Sequence, residues 1–165
     1  MSRWVHFGVW AVASFASDLG TKLWARKSLA LHEPPRTLIE GFWDWQLSEN
    51  EGSAFGMFRN IPGSRHFLTV VGFIALAVVV GYVRKINDSQ RALAAALGMV
   101  AGGAVGNILD RLIFGKVTDF VLWHYHEHRW PTFNVADAWL VAGVILLLLV
   151  GGKTKQAASK PARPE

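Results

Sequence analysis

The sequence predicts an all-α integral membrane protein, with four transmembrane helices and a small extracytoplasmic β-sheet between helices 1 and 2. Four apolar stretches approach the length of about 20 residues that a membrane-spanning helix needs. Only 18% of the 165 residues are charged, whereas a soluble domain has about 25%. Most of the eight tryptophans lie near the ends of these stretches, where membrane proteins carry belts of aromatic side chains.

The first of these stretches carries two charges near its far end. The four predicted helices cover residues 4–24, 67–83, 92–114 and 134–150. Asp18 and Lys22 are four residues apart in the first helix, so they share a face and can form an ion pair. We expect this pair to lie near the membrane interface, with the Lys22 side chain extending outward to water; a direct role in chemistry is the alternative.

The segment between the first two helices predicts a small sheet on the membrane surface. Pro34 and Pro35 exclude a helix there. Residues 37–47 partly alternate between apolar and polar side chains, a period of two that is typical of a strand. A turn signal at 50–52 and the stretch 53–58 follow. Residues 116–132 are interpreted as a linker of mixed character.

The third helix combines small residues with polar ones. Gly102-x-x-x-Gly106 predicts the close approach of a neighbouring helix. Asn107, Asp110 and Arg111 follow at spacings of three and four, which places them on one side of the helix. An arginine at this depth needs a partner, and we expect Asp110 and Arg111 to have mainly structural roles in pairing.

The basic residues predict the orientation in the membrane. Short cytoplasmic segments carry an excess of Lys and Arg, so the loop around 84–91 and the C-terminal tail are assigned to the cytoplasm, together with both termini. Residues 26–66 and 115–133 then lie outside. We expect one membrane-embedded domain over 1–152 and a disordered basic tail over 153–165. The net charge of +5 is therefore explained by anionic lipid and topology, not by nucleic acid.

The polar residues of different helices converge on one level. With a rise of about 1.5 Å per residue, Asp110 and Arg111 lie roughly 27–29 Å above the cytoplasmic end of their helix. This is almost across a hydrocarbon core of about 30 Å. Asp18 and Asp137 reach a similar level, and Asp119 lies in the outer linker. Charges in such places are expensive and mark a functional site.

Asp119 and Asp137 have the chemistry of an aspartic protease pair. Two carboxylates held close together share one proton, so one activates water and the other protonates the leaving amine. Each acid also has a simpler explanation. Asp137 lies three residues after Asn134, as in a helix cap, and Asp119 could be an ordinary solvated loop acid. Because the chain has no cysteine, disulfides, zinc–thiolate sites and a cysteine nucleophile are excluded.

Five motifs in one order resemble the bacterial lipoprotein signal peptidases, also called signal peptidase II. Asp18-Leu19-Gly20-Thr21-Lys22 matches the pattern Asp-x-x-Ser/Thr-Lys. The second motif is Asn50-Glu51-Gly52-Ser53-Ala54-Phe55. The third runs from Gly102 to Arg111 and matches Gly-Gly-x-x-Gly-Asn-x-x-Asp-Arg. The last two are Val117-Thr118-Asp119-Phe120 and Phe133-Asn134-Val135-Ala136-Asp137.

The resemblance implies a four-span aspartyl peptidase with an extracytoplasmic β-cradle. Such an enzyme removes signal peptides from prolipoproteins by cleaving before a diacylglyceryl-modified cysteine, at the outer face of the bacterial cytoplasmic (inner) membrane. Asp119 and Asp137 match its catalytic dyad. The residues that match its pocket are Asn50, Gly52, Asn107, Arg111 and Asn134. We expect structural support from Asp18, Lys22 and Asp110.

The expected partners are the prolipoprotein substrate and the lipid bilayer, with no nucleic acid, no metal and no cofactor, and the chain is expected to be a monomer. His124, His126 and His128 alternate and suggest a metal site, but we favour solvated or interfacial histidines. A small transporter or proton relay using Asp18, Asp110 and Asp137 is the alternative function. A relay needs ionisable groups throughout the membrane depth, whereas these collect at one level.

Overall fold

The described part of the chain folds into four helices and one small antiparallel sheet. A computed structural model describes residues 1–51 and 63–158, with residues 152–158 described as backbone only. The helices are α1 (Arg3–Ser28), α2 (Ser64–Lys85), α3 (Arg91–Phe114) and α4 (Val135–Ala158). The four predicted helices are therefore present. Of the helices in the described ranges, α2 and α3 are long and apolar enough to cross a membrane, and α4 has a shorter apolar stretch, Val135–Gly151.

Helix α3 is the centre of the fold. It packs against α1, α2 and α4, and most of its apolar segment is buried, whereas most of that of α2 is exposed. Its small residues allow this. A Cβ atom on Gly98 would overlap the Phe7 carbonyl oxygen, and one on Gly102 would overlap Ser14 Oγ. A Cβ atom on Gly106 would overlap Asp18 Oδ2. The predicted close approach at Gly102 and Gly106 is confirmed, and Gly98 extends it by one turn.

The sheet has four strands in the order β1-β2-β3-β4. Their bounds are β1 (Arg36–Ile39), β2 (Trp43–Asn50), β3 (Val117–Tyr125) and β4 (His128–Arg129). The prediction that the sheet lies only between helices 1 and 2 is wrong, because β3 and β4 come from the segment between α3 and α4. The predicted strand over 37–47 is also divided in two, because Gly41 adopts a φ of 75° in the intervening turn. The stretch 53–58 lies outside the described residues.

An aromatic cluster joins the sheet to one end of α1. The ring of Trp24 on α1 makes edge contacts with Trp45 and Phe120, at centroid distances of 5.2 and 6.2 Å. Ala25 of α1 and Leu29, the residue that follows this helix, are buried in the same cluster. Strand β3 is therefore held between β2 and the helices. Its third residue is Asp119.

Helix α4 continues beyond its predicted end at 150. The backbone remains helical to Ala158, so the first residues of the predicted tail belong to the helix. Residues 159–165 lie outside the described part of the chain. The disorder and the cytoplasmic position of the tail stay predictions.

Replacing Gly102 with alanine tests the contact between α1 and α3. The added methyl group would overlap Ser14 Oγ and the Ala11 carbonyl oxygen, so we expect a loss of about 1–3 kcal/mol in the free energy of unfolding. Gly81→Ala in α2 is the matched control, since nothing lies within 4 Å of its Cβ position. Thermal unfolding in detergent measures both, and equal melting temperatures would contradict the close packing.

Candidate active site

Asp119 and Asp137 come from two different elements that meet beside α3. Asp119 is the third residue of β3, opposite Ser48 of β2, and is only 2% exposed. Asp137 lies in the first turn of α4. The hypothesis that Asp119 is a solvated loop acid is therefore wrong. The strand holds it inside the protein, where Asn134, just before α4, donates to it.

Two asparagines connect the two acids through their side-chain amides, and a third donates to Asp119. Asn134 Nδ2 donates to Asp119 Oδ1 at 2.7 Å and to Asn107 Oδ1 at 3.2 Å. Asn107 Nδ2 in turn donates to Asp137 Oδ1 at 2.8 Å. Asn50 Nδ2 donates to the second oxygen of Asp119 at 3.1 Å. Both carboxyl groups thus belong to one hydrogen-bonded network, in which every named donor is an uncharged amide.

The predicted helix cap at Asn134 is confirmed. The backbone N–H of Asn134 donates to Asp137 Oδ2 at 3.3 Å, and the N–H of Asp137 donates to Asn134 Oδ1 at 3.1 Å. This reciprocal pair satisfies backbone donors at the start of α4. The cap and the link to Asn107 use different oxygens of Asp137, so capping also fixes the direction in which this acid points.

A buried ion cluster adjoins this network and shares Asn107 with it. Lys22 Nζ is 2.8 Å from Asp18 Oδ2 and 3.4 Å from Asp110 Oδ2, and donates to Asn107 Oδ1 at 2.9 Å. The predicted pair of Asp18 and Lys22 is confirmed. The expectation that Lys22 extends to water is wrong, since its side chain is 1% exposed. The close crossing of α3 supplies Lys22 with its other partners, and Asp18 also accepts the N–H of Ala136 from α4 at 2.9 Å.

Asp110 and Arg111 do not pair with each other. Asp110 bonds to Lys22 and to Arg26 of α1, the latter at 2.5 Å. Arg111 donates from Nη1 to the Asn107 carbonyl oxygen at 3.3 Å, and its buried Nε finds no hydrogen-bond partner among the described residues. Arg26 was missed from the sequence, although it follows Lys22 by four residues and therefore shares its helix face.

The pKa of the Asp119 carboxyl is raised to about 7. The main cause is burial, which disfavours the ionised form, and the second is the charge of Asp137. Hydrogen bonds from Asn50 and Asn134 and the charge of Lys22 oppose this shift without cancelling it. Near neutral pH the site can therefore hold one proton on Asp119 beside the second acid, which is the arrangement that general acid–base hydrolysis needs.

Gly52 lies outside the described residues. The three alternating histidines occupy three different places in the structure. His124 Nε2 is 3.0 Å from Asp44 Oδ2, His126 lies in the turn after β3 with a φ of 52°, and His128 is exposed on β4. Within residues 1–51 and 63–158, no group of three or more His, Cys, Asp or Glu side chains is placed to hold a metal ion.

Replacing Asp119 with asparagine should change how stability depends on pH. The folded-state pKa of Asp119, about 7, lies above its ordinary value of 3.8, so the wild-type protein loses stability as pH rises from about 4 to about 7 and this carboxyl ionises, with little further loss above that. From about pH 4.5 to about pH 7.5, the melting temperature of Asp119→Asn should therefore fall less than that of the wild type. Asp88→Asn, at an exposed acid, is the control. Equal pH dependence in all three proteins would contradict the raised pKa.

Comparison with known proteins agrees with these features. The family model described as signal peptidase (SPase) II matches residues 10–151. A lipoprotein signal peptidase of Symbiobacterium thermophilum is 40% identical over 141 residues, covering 86% of this chain and 90% of that protein. One of Geobacter metallireducens is 34% identical over 143 residues, covering 87% and 88%.

A solved structure has the same fold. It is a bacterial membrane enzyme determined by the in meso method at 2.3 Å resolution. It matches with a TM-score of 0.81 and 25% sequence identity, over 95% of this chain and 93% of that chain. The match to the family model and the identity with these relatives extend over most of the chain. The protein therefore belongs to the signal peptidase II family of membrane peptidases.

Proposed function

We propose that the protein is an aspartic endopeptidase that removes the signal peptide from diacylglyceryl-modified prolipoproteins, cleaving before the lipid-modified cysteine. One observation carries the aspartic assignment. Asp119 and Asp137 are joined through Asn134 and Asn107, and the pKa of Asp119 is about 7. The substrate class follows from the family, whose members in Symbiobacterium and Geobacter are named for lipoprotein signal peptides.

In the proposed mechanism the two acids have different starting states. Asp137 is assigned the role of general base, since its carboxyl group accepts a hydrogen bond from the Asn107 amide and lies at the N-terminus of α4. It removes a proton from a water molecule as the water oxygen bonds to the scissile carbonyl carbon. Asp119 begins protonated and supplies the proton that the leaving amine needs when the carbon–nitrogen bond breaks. The hydrolysis uses water alone and needs no metal or covalent intermediate.

We assign two kinds of role to the pocket residues. Asn50, Asn107 and Asn134 orient the acids, because their amides are already engaged with them. Arg111 is the better candidate for direct contact with the substrate. Its Nε is buried without a partner in the described structure, and a backbone carbonyl of the bound peptide would satisfy it. Gly52 is proposed to contribute to the pocket on the strength of its motif.

We further propose that all four helices cross the bacterial inner membrane, with both termini in the cytoplasm and the acids at the outer face. Helices α1 and α4 each have an exposed apolar side that suits lipid contact. These exposed residues are Val5, Val9, Val12, Val141, Val144, Ile145, Leu148 and Leu149. The chain would act as a monomer in the bilayer, without a cofactor.

The alternative proton relay finds less support. Asp18 and Asp110 are both buried and both contact Lys22. A relay residue must exchange protons in turn with its neighbours, whereas these two acids neutralise a fixed charge. We therefore favour the peptidase.

Replacing either acid of the pair tests the reaction type. Asp119→Asn and Asp137→Asn should each reduce cleavage of a diacylglyceryl-modified prolipoprotein by at least about a hundredfold, because neither acid can perform both proton transfers alone. The double variant should be little worse than either single one. Mass spectrometry of the released signal peptide measures turnover. Asp88→Asn is the control, since this acid is exposed and bonds to Arg3 instead. Near-normal turnover in a well-folded single variant would refute the aspartic mechanism.

Cysteine labelling tests the proposed orientation. The chain has no cysteine of its own, so single introduced thiols report unambiguously. Ser64→Cys, at the start of α2, should react with an impermeant thiol reagent added outside the cytoplasmic membrane. Ser89→Cys, between α2 and α3, should react only after that membrane is permeabilised. The reverse pattern would place the acids on the cytoplasmic side and contradict the assignment.

A further inference from the structure

A further set of polar contacts involves Thr118, the residue before Asp119, and is not used in the proposed proton transfers. It joins Arg26 of α1, Asp110 of α3 and Thr118 of β3. Arg26 donates to Thr118 Oγ1 from Nε at 2.9 Å and from Nη2 at 2.6 Å. Arg26 Nη2 also donates to Asp110 Oδ1 at 2.5 Å. Asp110 Oδ2 accepts the backbone N–H of Thr118 at 2.9 Å. We call these three residues the Thr118 clamp.

The clamp holds both the backbone and the side chain of the residue that precedes Asp119. Successive side chains of a strand point to opposite faces. Fixing the Thr118 side chain toward α1 and α3 therefore directs Asp119 to the opposite face of β3. The bond from the Thr118 N–H to Asp110 Oδ2 fixes the peptide unit that precedes Thr118 relative to α3, where Asn107 also lies.

The sheet alone gives Asp119 weaker support. Strand β3 pairs with β2, but their register shifts between Trp45 and Ser48. Asp119 is the partner of Ser48, so it lies next to the irregular part of the ladder. At such an irregularity the strand bends and regular pairing is interrupted. The bonds of Thr118 to Arg26 of α1 and to Asp110 of α3 compensate for that interruption.

Arg26 suits this place because of its shape. Its guanidinium is 3.9 Å from the ring centroid of Phe114, while its edge donates to Thr118 and Asp110. A planar group can stack with one face and donate two or more bonds along its edge. A lysine would keep the charge beside Asp110 but could not reproduce the two bonds to Thr118 Oγ1.

We propose that Arg26 and Thr118 are positioning residues that hold Asp119 in its reactive place. The proposal rests on the proposed peptidase function. The clamp lies on the side of β3 turned away from the acids, so its loss should affect the chemical step and leave substrate binding nearly unchanged. A loosened Asp119 is also less completely buried. Its carboxyl then ionises at lower pH, and the pH at which activity declines moves downward.

Thr118→Val is the sharpest test, because it keeps the shape of the side chain and the backbone N–H. It removes only the hydroxyl group that accepts two bonds from Arg26. We expect kcat to fall about tenfold, with KM changed less than about twofold, since small misplacements of reacting groups cost up to about a hundredfold. The alkaline limb of the pH profile should move to lower pH. Arg26→Met should act similarly, the double variant should be no worse than Arg26→Met alone, and Thr118→Ser should restore wild-type behaviour.

The controls remove similar groups elsewhere. Thr69→Val removes a hydroxyl that bonds only within α2 in the described structure, and Arg36→Met removes an exposed arginine on β1. Should Thr118→Val fail to fold, Arg26→Lys provides the same comparison with the charge retained. Unchanged kcat and pH profile in folded Thr118→Val and Arg26→Met would overturn the clamp, as would a change in KM alone. If Asp119→Asn is inactive in the same assay, the aspartic mechanism survives that failure.

Discussion

The buried ammonium group of Lys22 is the interaction on which the rest of the site depends. A buried charge without partners is very costly, so the fold must supply them. Asp18 and Asp110 provide the opposite charge, and Asn107 provides a neutral acceptor. Because an ammonium group only donates hydrogen bonds, it fixes the oxygen of Asn107 toward itself and turns the amide nitrogen toward Asp137. Lys22 therefore sets the orientation of the Asn107 amide, and through it that of Asp137, without bonding to Asp119 or Asp137 itself.

The site has two layers that separate charge from chemistry. The lower layer neutralises Lys22 and ties α1, α3 and α4 together, since Asp18 also accepts the N–H of Ala136. The upper layer holds Asp119 and Asp137 through uncharged amides, which orient both acids and leave the pKa of Asp119 near neutrality at about 7. A direct ion pair with a lysine or arginine would instead keep that acid ionised. This separation is what the proposed acid–base mechanism requires.

Sequence reasoning located the helices, the paired charges and the cap, because each follows from a local spacing. Asp18 and Lys22 are one helical turn apart, and Asn134 and Asp137 have the spacing of a capping box. Strand β3 was missed because Val117 to Leu122 are buried in succession, so the period of two that marks a half-exposed strand is absent. The role of Arg26 depends on the crossing of α1 with α3 and β3, which no local pattern encodes.

The proton on Asp119 can be measured directly by infrared difference spectroscopy of the purified protein, with Asp119→Asn used to assign the band. The structure predicts a protonated-carboxyl band that disappears as pH rises, with a midpoint near 7, and that is absent from Asp119→Asn. Because the two acids are coupled, the titration belongs to the pair. A spectrum in which no protonated carboxyl persists above the ordinary aspartate range of about 4 would contradict the account.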